Sequence, residues 1–276
     1  MRDDMRDDIS EATAGVAVRT WAPGVPVLLV HGSLATGSEE WAAQEPLAEA
    51  GYRLLVPDRR GYGRSPSLPG EDFERDADDL VDLLDSIGTI GDAPGAHLVG
   101  HSYGGLGALL AAARRPAATR SLALLEPPAF SLAQDDPSAR ALVTGLRSMW
   151  DGGGADDDLE WAVGFLGAVG TDPDTLPPGV LDEIAPLVPV LRHGHPPWDA
   201  DLPLRELASA SFPTLVVSGG HHPGFDAVCD ALAAEIGADR LVVEGAGHEI
   251  QFTGEPINRA LVDLWRRADS GSVPAS

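Results

Sequence analysis

Gly100-His101-Ser102-Tyr103-Gly104 stands between a short apolar stretch, Ala96-His97-Leu98-Val99, and an alanine-rich run, Gly105 to Arg115, that Pro116 stops. The stretch before it has the composition of a strand and the run after it that of a helix. The sequence therefore predicts a strand, a sharp turn carrying a serine, and a helix. Such a turn holds the serine in a strained backbone conformation, and side chains two residues to either side would collide across it. Glycine at both places removes the collision. In a chain with 32 glycines, Gly-x-Ser-x-Gly alone is a common accident. The flanking strand and helix make it specific.

On either side of this unit, apolar runs of strand length alternate with amphipathic ones of helix length. This predicts an α/β fold, with a mostly parallel sheet covered by helices on both faces. Val25 to Val30 is apolar without alternation, as in a central strand buried on both sides. A helix is expected over Glu40 to Ala50, ending at Gly51, then a strand over Tyr52 to Val56. A helix over Phe73 to Ile87 ends at Gly88. Ser121 to Leu125 is the strand after the glycine-serine turn. Pro213 to Ser218, Phe225 to Ile236, Leu241 to Val243 and Glu255 to Arg267 supply strand, helix, strand and helix. The ends, before about Glu11 and after about Asp269, are expected to fray.

Between Pro127 and Phe212 the rhythm changes to prolines and three helical patterns, near 138–150, 157–169 and 179–192. This predicts a helical cap over 128–212, inserted into a core made of 1–127 and 213–276. Leu34 and the cap aromatics Trp150, Trp161, Phe165 and Trp198 are candidate pocket-lining residues. The competing role for the aromatics is to hold the cap together or seat it on the core.

Composition narrows the partners. The 43 acidic residues against 19 basic ones give a net charge of −24, and every basic residue is arginine. Nucleic acid and anionic membrane are repelled by such a surface. A small-molecule substrate is the partner expected, and a homodimer is compatible with the sequence. Arginine without lysine, amid much Ala, Gly, Pro and Asp, is the usage of a GC-rich bacterial genome. Cys229 is the single cysteine, so no intramolecular disulfide forms. Met1 to Asp8 lacks the apolar run of a signal peptide, and no stretch reaches the roughly 18 apolar residues of a membrane span. The expected compartment is the cytoplasm.

The strand-turn-helix unit, the His31-Gly32 turn, Asp58-Arg59-Arg60-Gly61-Tyr62-Gly63-Arg64-Ser65 and the late Gly245-Ala246-Gly247-His248 together resemble the capped α/β-hydrolases, in their esterase- and lactonase-like serine branch. The resemblance covers about residues 20 to 268. It implies the α/β-hydrolase fold, Ser102 as nucleophile and His248 as the base that a weakly nucleophilic hydroxyl needs. The oxyanion hole falls to the backbone N–H groups of Ser33 (or Leu34) and Tyr103. Asp58 and Arg64 are expected to brace the sheet edge. Serine at position 102 argues against haloalkane dehalogenase and epoxide hydrolase chemistry, whose relatives carry aspartate there.

The acid departs from the family's common pattern. Most members place an aspartate shortly after the strand that here is Thr214 to Ser218, and His222 occupies that position. An imidazole cannot stabilise the imidazolium that the base becomes. Glu126, at the end of the strand next to that of the serine and followed by two prolines, is the expected substitute. Some members take their acid from this strand end, certain lactone hydrolases among them, and Asp226 is the alternative. His31 is expected to be structural, His101 to point away from the nucleophile, and His97, His193 and His195 to be ordinary strand, cap or surface residues. His193, His195, His221 and His222 match no metal motif, and neither metal nor cofactor is expected. The resulting expectation is hydrolysis of a small-to-medium, largely apolar carboxylic ester or lactone through an acyl-enzyme. The alternatives are a C–C bond hydrolase or perhydrolase with the same triad, or a non-catalytic ligand-binding relative.

Overall fold

The computed structural model describes residues 9–13, 15–87, 95–153 and 157–271. Eight strands make one sheet: β1 (Ile9–Thr13), β2 (Val16–Trp21), β3 (Val25–Val30), β4 (Tyr52–Pro57), β5 (Ala96–His101), β6 (Thr119–Leu125), β7 (Thr214–Ser218) and β8 (Asp239–Val242). Their order is β1-β2-β4-β3-β5-β6-β7-β8. β1 and β2 are antiparallel to their neighbours, and from β4 to β8 every pairing is parallel.

The helices are α1 (Gly37–Glu40), α2 (Phe73–Ile87), α3 (Ser102–Arg114), α4 (Pro137–Ser148), α5 (Asp158–Ala168), α6 (Val180–Ile184), α7 (Val188–Arg192), α8 (Leu204–Ala208), α9 (Pro223–Ile236) and α10 (Glu255–Gly271). Successive residues of β3 point to opposite faces, as the two-residue strand period requires. Leu28 and Val30 pack with Leu83, Leu106 and Val228 of α2, α3 and α9. Val27 and Leu29 pack on the other face with Trp41, Leu261 and Trp265. Covered on both sides, β3 needs no polar alternation.

Four expectations need correction. Residues near Glu11 belong to a strand, β1, paired with β2; the sequence reading missed both strands, whose polar residues hide the apolar pattern. Met1 to Asp8 lies outside the described residues, as do Gly88, Gly154 and 272–276. The C-terminal helix continues past Asp269 to Gly271. The helix expected over Glu40 to Ala50 is one turn of α1 and then a 3₁₀ segment, Ala42–Ala50, with Pro46 inside it. The pattern at 179–192 is broken into α6, a 3₁₀ turn and α7, because Pro186 and Pro189 lack the N–H a continuous helix needs.

Between β6 and β7 the described chain is helical. Ala139, Leu142 and Leu146 of α4 join the cluster on the α9 side of the sheet. Trp161, Val188 and Leu191 of α5 and α7 form a separate cluster with Leu34 of the loop after β3. A second tie lies at Glu71: its N–H donates to the Val190 carbonyl at 2.9 Å, and its own carbonyl accepts from the N–H of His195 at 2.7 Å. No helix among the described residues is long and apolar enough to cross a membrane.

Candidate active site

β5 ends at His101 and α3 begins at Ser102, leaving no residue between strand and helix. Ser102 accordingly takes a left-handed φ of +46°. A Cβ on Gly104 would run into the His31 carbonyl, and one on Gly100 would lie 2.7 Å from the Gly105 Cα. Among the described residues, four other than glycine have positive φ: Ala22, Leu34, Ser102 and Glu126. Three of these four stand at the carboxyl edge of the central strands. Strain of this kind collects where a site must hold an unusual geometry.

Ser102, Glu126 and His248 meet there. His248 Nδ1 donates to Glu126 Oε2 at 2.6 Å, and Ser102 Oγ donates to His248 Nε2 at 3.0 Å. Glu126 is fully buried and His248 nearly so, whereas Ser102 is partly open. Burial by itself would raise the Glu126 carboxyl, yet the imidazoles of His221 and His248 hold it down to about 2. Its second oxygen accepts the Gly219 N–H at 2.7 Å, and His221 Nδ1 faces it at 3.4 Å. Asp226 turns to the Ser218 hydroxyl and to Arg240. His222 caps α9 by accepting the Gly224 N–H at 3.0 Å.

The turn after β3 lies against the nucleophile: a Cβ on Gly32 would come 3.1 Å from that of Ser102. The Gly32 N–H already donates to both oxygens of Glu40, at 3.0 and 2.9 Å. This leaves the N–H groups of Ser33 and Leu34 as the turn's candidates to face a substrate oxygen, with that of Tyr103 opposite. The Ser33 hydroxyl is turned aside to Glu71, at 2.8 Å.

Two buried networks beneath the site were not foreseen. His101 Nδ1 donates to Glu40 Oε1 and its Nε2 to the His248 carbonyl, both at 3.0 Å. Burial opposes a charge on His101, but Glu40 and Glu249 raise it to about 9. The imidazolium thus ties the loop of the candidate base to the turn after β3. In the second network Arg59, 3% exposed, bonds Glu71 at 2.7 Å and Asp76 at 2.9 Å. Its Nη1 also donates to the Gly32 carbonyl at 3.0 Å. The buried brace of this segment is therefore Arg59. Arg64 is exposed, and only its backbone N–H reaches Asp58, at 3.0 Å.

The cap aromatics form one cluster. Trp161 stacks on Phe165 with ring centres 5.6 Å apart, and Trp150 stands edge-on to Trp161, Phe165 and Trp198. Leu34 packs against Trp161, so the cluster roofs the turn beside Ser102. His31 is fixed within its turn, accepting the Arg59 N–H at 2.8 Å. His97 bonds Ser121, His193 bonds the Pro189 carbonyl, and His195 stacks on Phe73. Among the described residues, two trios bring three metal-binding atoms within 4.8 Å of one another, Glu126-His221-His248 and His101-His248-Glu249. Both require His248, whose two ring nitrogens already bond Glu126 and Ser102.

Sequence comparison spreads over several chemistries. A non-heme chloroperoxidase of Kitasatospora aureofaciens is 42% identical over 89 residues, 32% of this chain and 30% of that protein. Epoxide hydrolase A of Mycobacterium tuberculosis is 38% identical over 136 residues, 46% of this chain and 40% of that protein. A bifunctional esterase/perhydrolase of Acinetobacter calcoaceticus is 36% identical over 90 residues, 32% of this chain and 31% of that protein. The match thus spans less than half the length of each of these curated relatives. Among solved structures, an alpha/beta hydrolase from Sphaerobacter thermophilus superposes with TM-score 0.63 at 26% identity, over 94% of this chain and 100% of that one. A thermophilic esterase from Thermogutta terrifontis does so with TM-score 0.67 at 24% identity, over 94% and 97%. Residues 27–260 match the alpha/beta hydrolase family as a whole, and with the strand order and the serine turn this makes the chain a member of that family.

Proposed function

We propose that this chain is a serine hydrolase that cleaves a small-to-medium, largely apolar carboxylic ester or lactone. The observation that carries the reading is the unbroken line of hydrogen bonds from Ser102 Oγ through both nitrogens of His248 to the buried Glu126. In it, His248 takes the serine proton as Oγ attacks the carbonyl carbon, and Glu126 holds the ring in the tautomer whose Nε2 can accept. The N–H groups of Tyr103 and of Ser33 or Leu34 stabilise the oxyanion. His248 returns the proton to the departing alkoxide, an acyl-enzyme remains, and water activated by the same ring releases the acid. For a lactone the alkoxide stays tethered and one hydroxy acid leaves.

The aromatic cluster over Leu34 supports an apolar acyl or alcohol part. Glu126 as the acid favours lactones among the candidates, since some lactone hydrolases of this fold use that strand end. The local likeness to an esterase/perhydrolase supports a second reading, in which hydrogen peroxide intercepts the acyl-enzyme in place of water. The test is turnover of p-nitrophenyl acetate, p-nitrophenyl butyrate and a panel of lactones by wild type and Ser102→Ala, each with and without peroxide. Loss of all turnover in a folded Ser102→Ala is expected; activity that survives it removes Ser102 as nucleophile.

A further inference from the structure

His221 is the residue whose surroundings the triad does not explain. Its Nε2 lies 2.9 Å from the carbonyl oxygen of Val169, at the end of α5. Its Nδ1 is buried without a hydrogen bond, 3.4 Å from Glu126 Oε1. The cap backbone closes over the ring: a Cβ on Gly170 would come 2.8 Å from His221 Cδ2. Phe225 of α9 stacks on it, with centres 6.0 Å apart.

Both ring nitrogens therefore face oxygens that can only accept. A neutral imidazole has one N–H, and whichever nitrogen lacks it would point a lone pair at a carbonyl or a carboxylate. The doubly protonated ring alone suits both neighbours. The charged and titratable groups around it are Glu126 at the end of β6, His248 after β8, its neighbour His222, and Asp226 in the first turn of α9. Burial works against a charge on His221, but Glu126, the Val169 carbonyl and Asp226 together outweigh it and raise the ring above its ordinary range.

Resting on the reading of Ser102, Glu126 and His248 as a triad, we propose that His221 is a positioning residue for the triad acid. As an imidazolium bonded to the Val169 carbonyl, it steadies the second oxygen of Glu126 and offsets part of that carboxylate's charge. Glu126 thereby serves two imidazoles, and the one facing the cap weakens its hold on the proton of His248. The rings of His221 and His248 are 6.1 Å apart. Like charges at that distance shift a titration by roughly half a unit to two units, for an effective dielectric between bulk water and about 20. Removing the charge on His221 makes His248 easier to protonate, so the acid limb of kcat/KM moves to higher pH.

The experiment is a ring-nitrogen NMR titration of wild type and His221→Asn, alongside the pH profile of ester hydrolysis. Asparagine can place a neutral donor near the Nδ1 position. The expected result is a doubly protonated His221 at pH 7 in wild type. In the variant, the His248 midpoint and the acid limb should both rise by roughly half a unit to two units. A neutral His221 at pH 7, or an unmoved His248 midpoint, overturns the proposal. Should His221→Asn not fold, His221→Gln, whose amide can reach the Val169 carbonyl, is read in the same way. If wild type hydrolyses nothing, the hydrolase reading falls, while the ring titrations still decide whether His221 acts on Glu126 and His248.

Discussion

Replacing Glu126 by glutamine exchanges one oxygen for an amide nitrogen and, given its neighbours, inverts the protonation of His248. The Gly219 N–H donates to one carboxylate oxygen at 2.7 Å, so the glutamine oxygen must take that place. The amide NH2 then faces His248 Nδ1, where the carboxylate accepted at 2.6 Å. Two donors cannot share that contact, so the ring must move its proton to Nε2. That nitrogen then donates to Ser102 and can no longer accept from it. Loss of the correct tautomer through the acid-to-amide change costs about 10⁴-fold in kcat in a triad enzyme.

Stability gives an independent reading of the same substitution. The Glu126 carboxyl is held at about 2 from an ordinary 4.5, against a burial effect that alone would raise it. At 1.36 kcal/mol per unit, this corresponds to about 3 kcal/mol. Because the folded value is the lower one, that stability is complete above pH 4.5 and is lost as pH falls toward 2. The variant lacks it throughout, so its melting point should lie about 5 °C below wild type at neutral pH. The two melts should converge toward pH 2. The assay is hydrolysis of p-nitrophenyl butyrate with thermal melts across pH. A Glu126→Gln enzyme within about tenfold of wild type in kcat refutes the tautomer argument.

Asp226→Asn should leave kcat within about threefold of wild type, because its partners are Ser218 and Arg240 rather than His248. A collapse to the level of Ser102→Ala would transfer the acid to Asp226. Arg59→Met strands the buried carboxylates of Glu71 and Asp76 and should cost about 3–5 kcal/mol. Thermal denaturation should show this as a fall of roughly 5–9 °C, and an unchanged melting point would mean the pair gives no net support.

The sequence displays what local periodicity encodes. The continuous apolar run of β3, the 15 residues of α2 and the turn at Ser102 each carry their evidence within a short window. β1 and β2 escaped because polar residues, among them Ser10, Glu11, Arg19 and Thr20, interrupt their apolar pattern. The pairings beneath the site escaped for another reason. Glu40 meets His101 across 61 positions, and no short window contains both partners. Glu126 could nevertheless be named as a candidate acid from the sequence, because the family's aspartate position holds a histidine and an acid had to be sought at another strand end. His221, one residue before that histidine, offered no such signal. Its importance rests on a cap carbonyl that only folding brings to it.

The place of the proposed acid follows from crowding after β7. A Cβ on Gly219 would run into the backbone of Gly247, so no side chain fits on the residue that follows the strand. Gly220 has a left-handed φ of +63°, His221 turns to the cap and His222 is committed to the start of α9. The segment can offer Glu126 a backbone N–H but cannot itself present a carboxylate to His248. β6 is the next strand toward Ser102, and its Leu125 pairs in register with Val217 of β7. The ends of the two strands therefore lie about 4.8 Å apart. A glutamate has one methylene more than an aspartate with which to cross that gap. Crossing it demands a left-handed backbone at Glu126, a strain of about 1–3 kcal/mol. The N–H of Glu126 on the Val217 carbonyl, at 2.9 Å, and the sheet behind it hold that conformation.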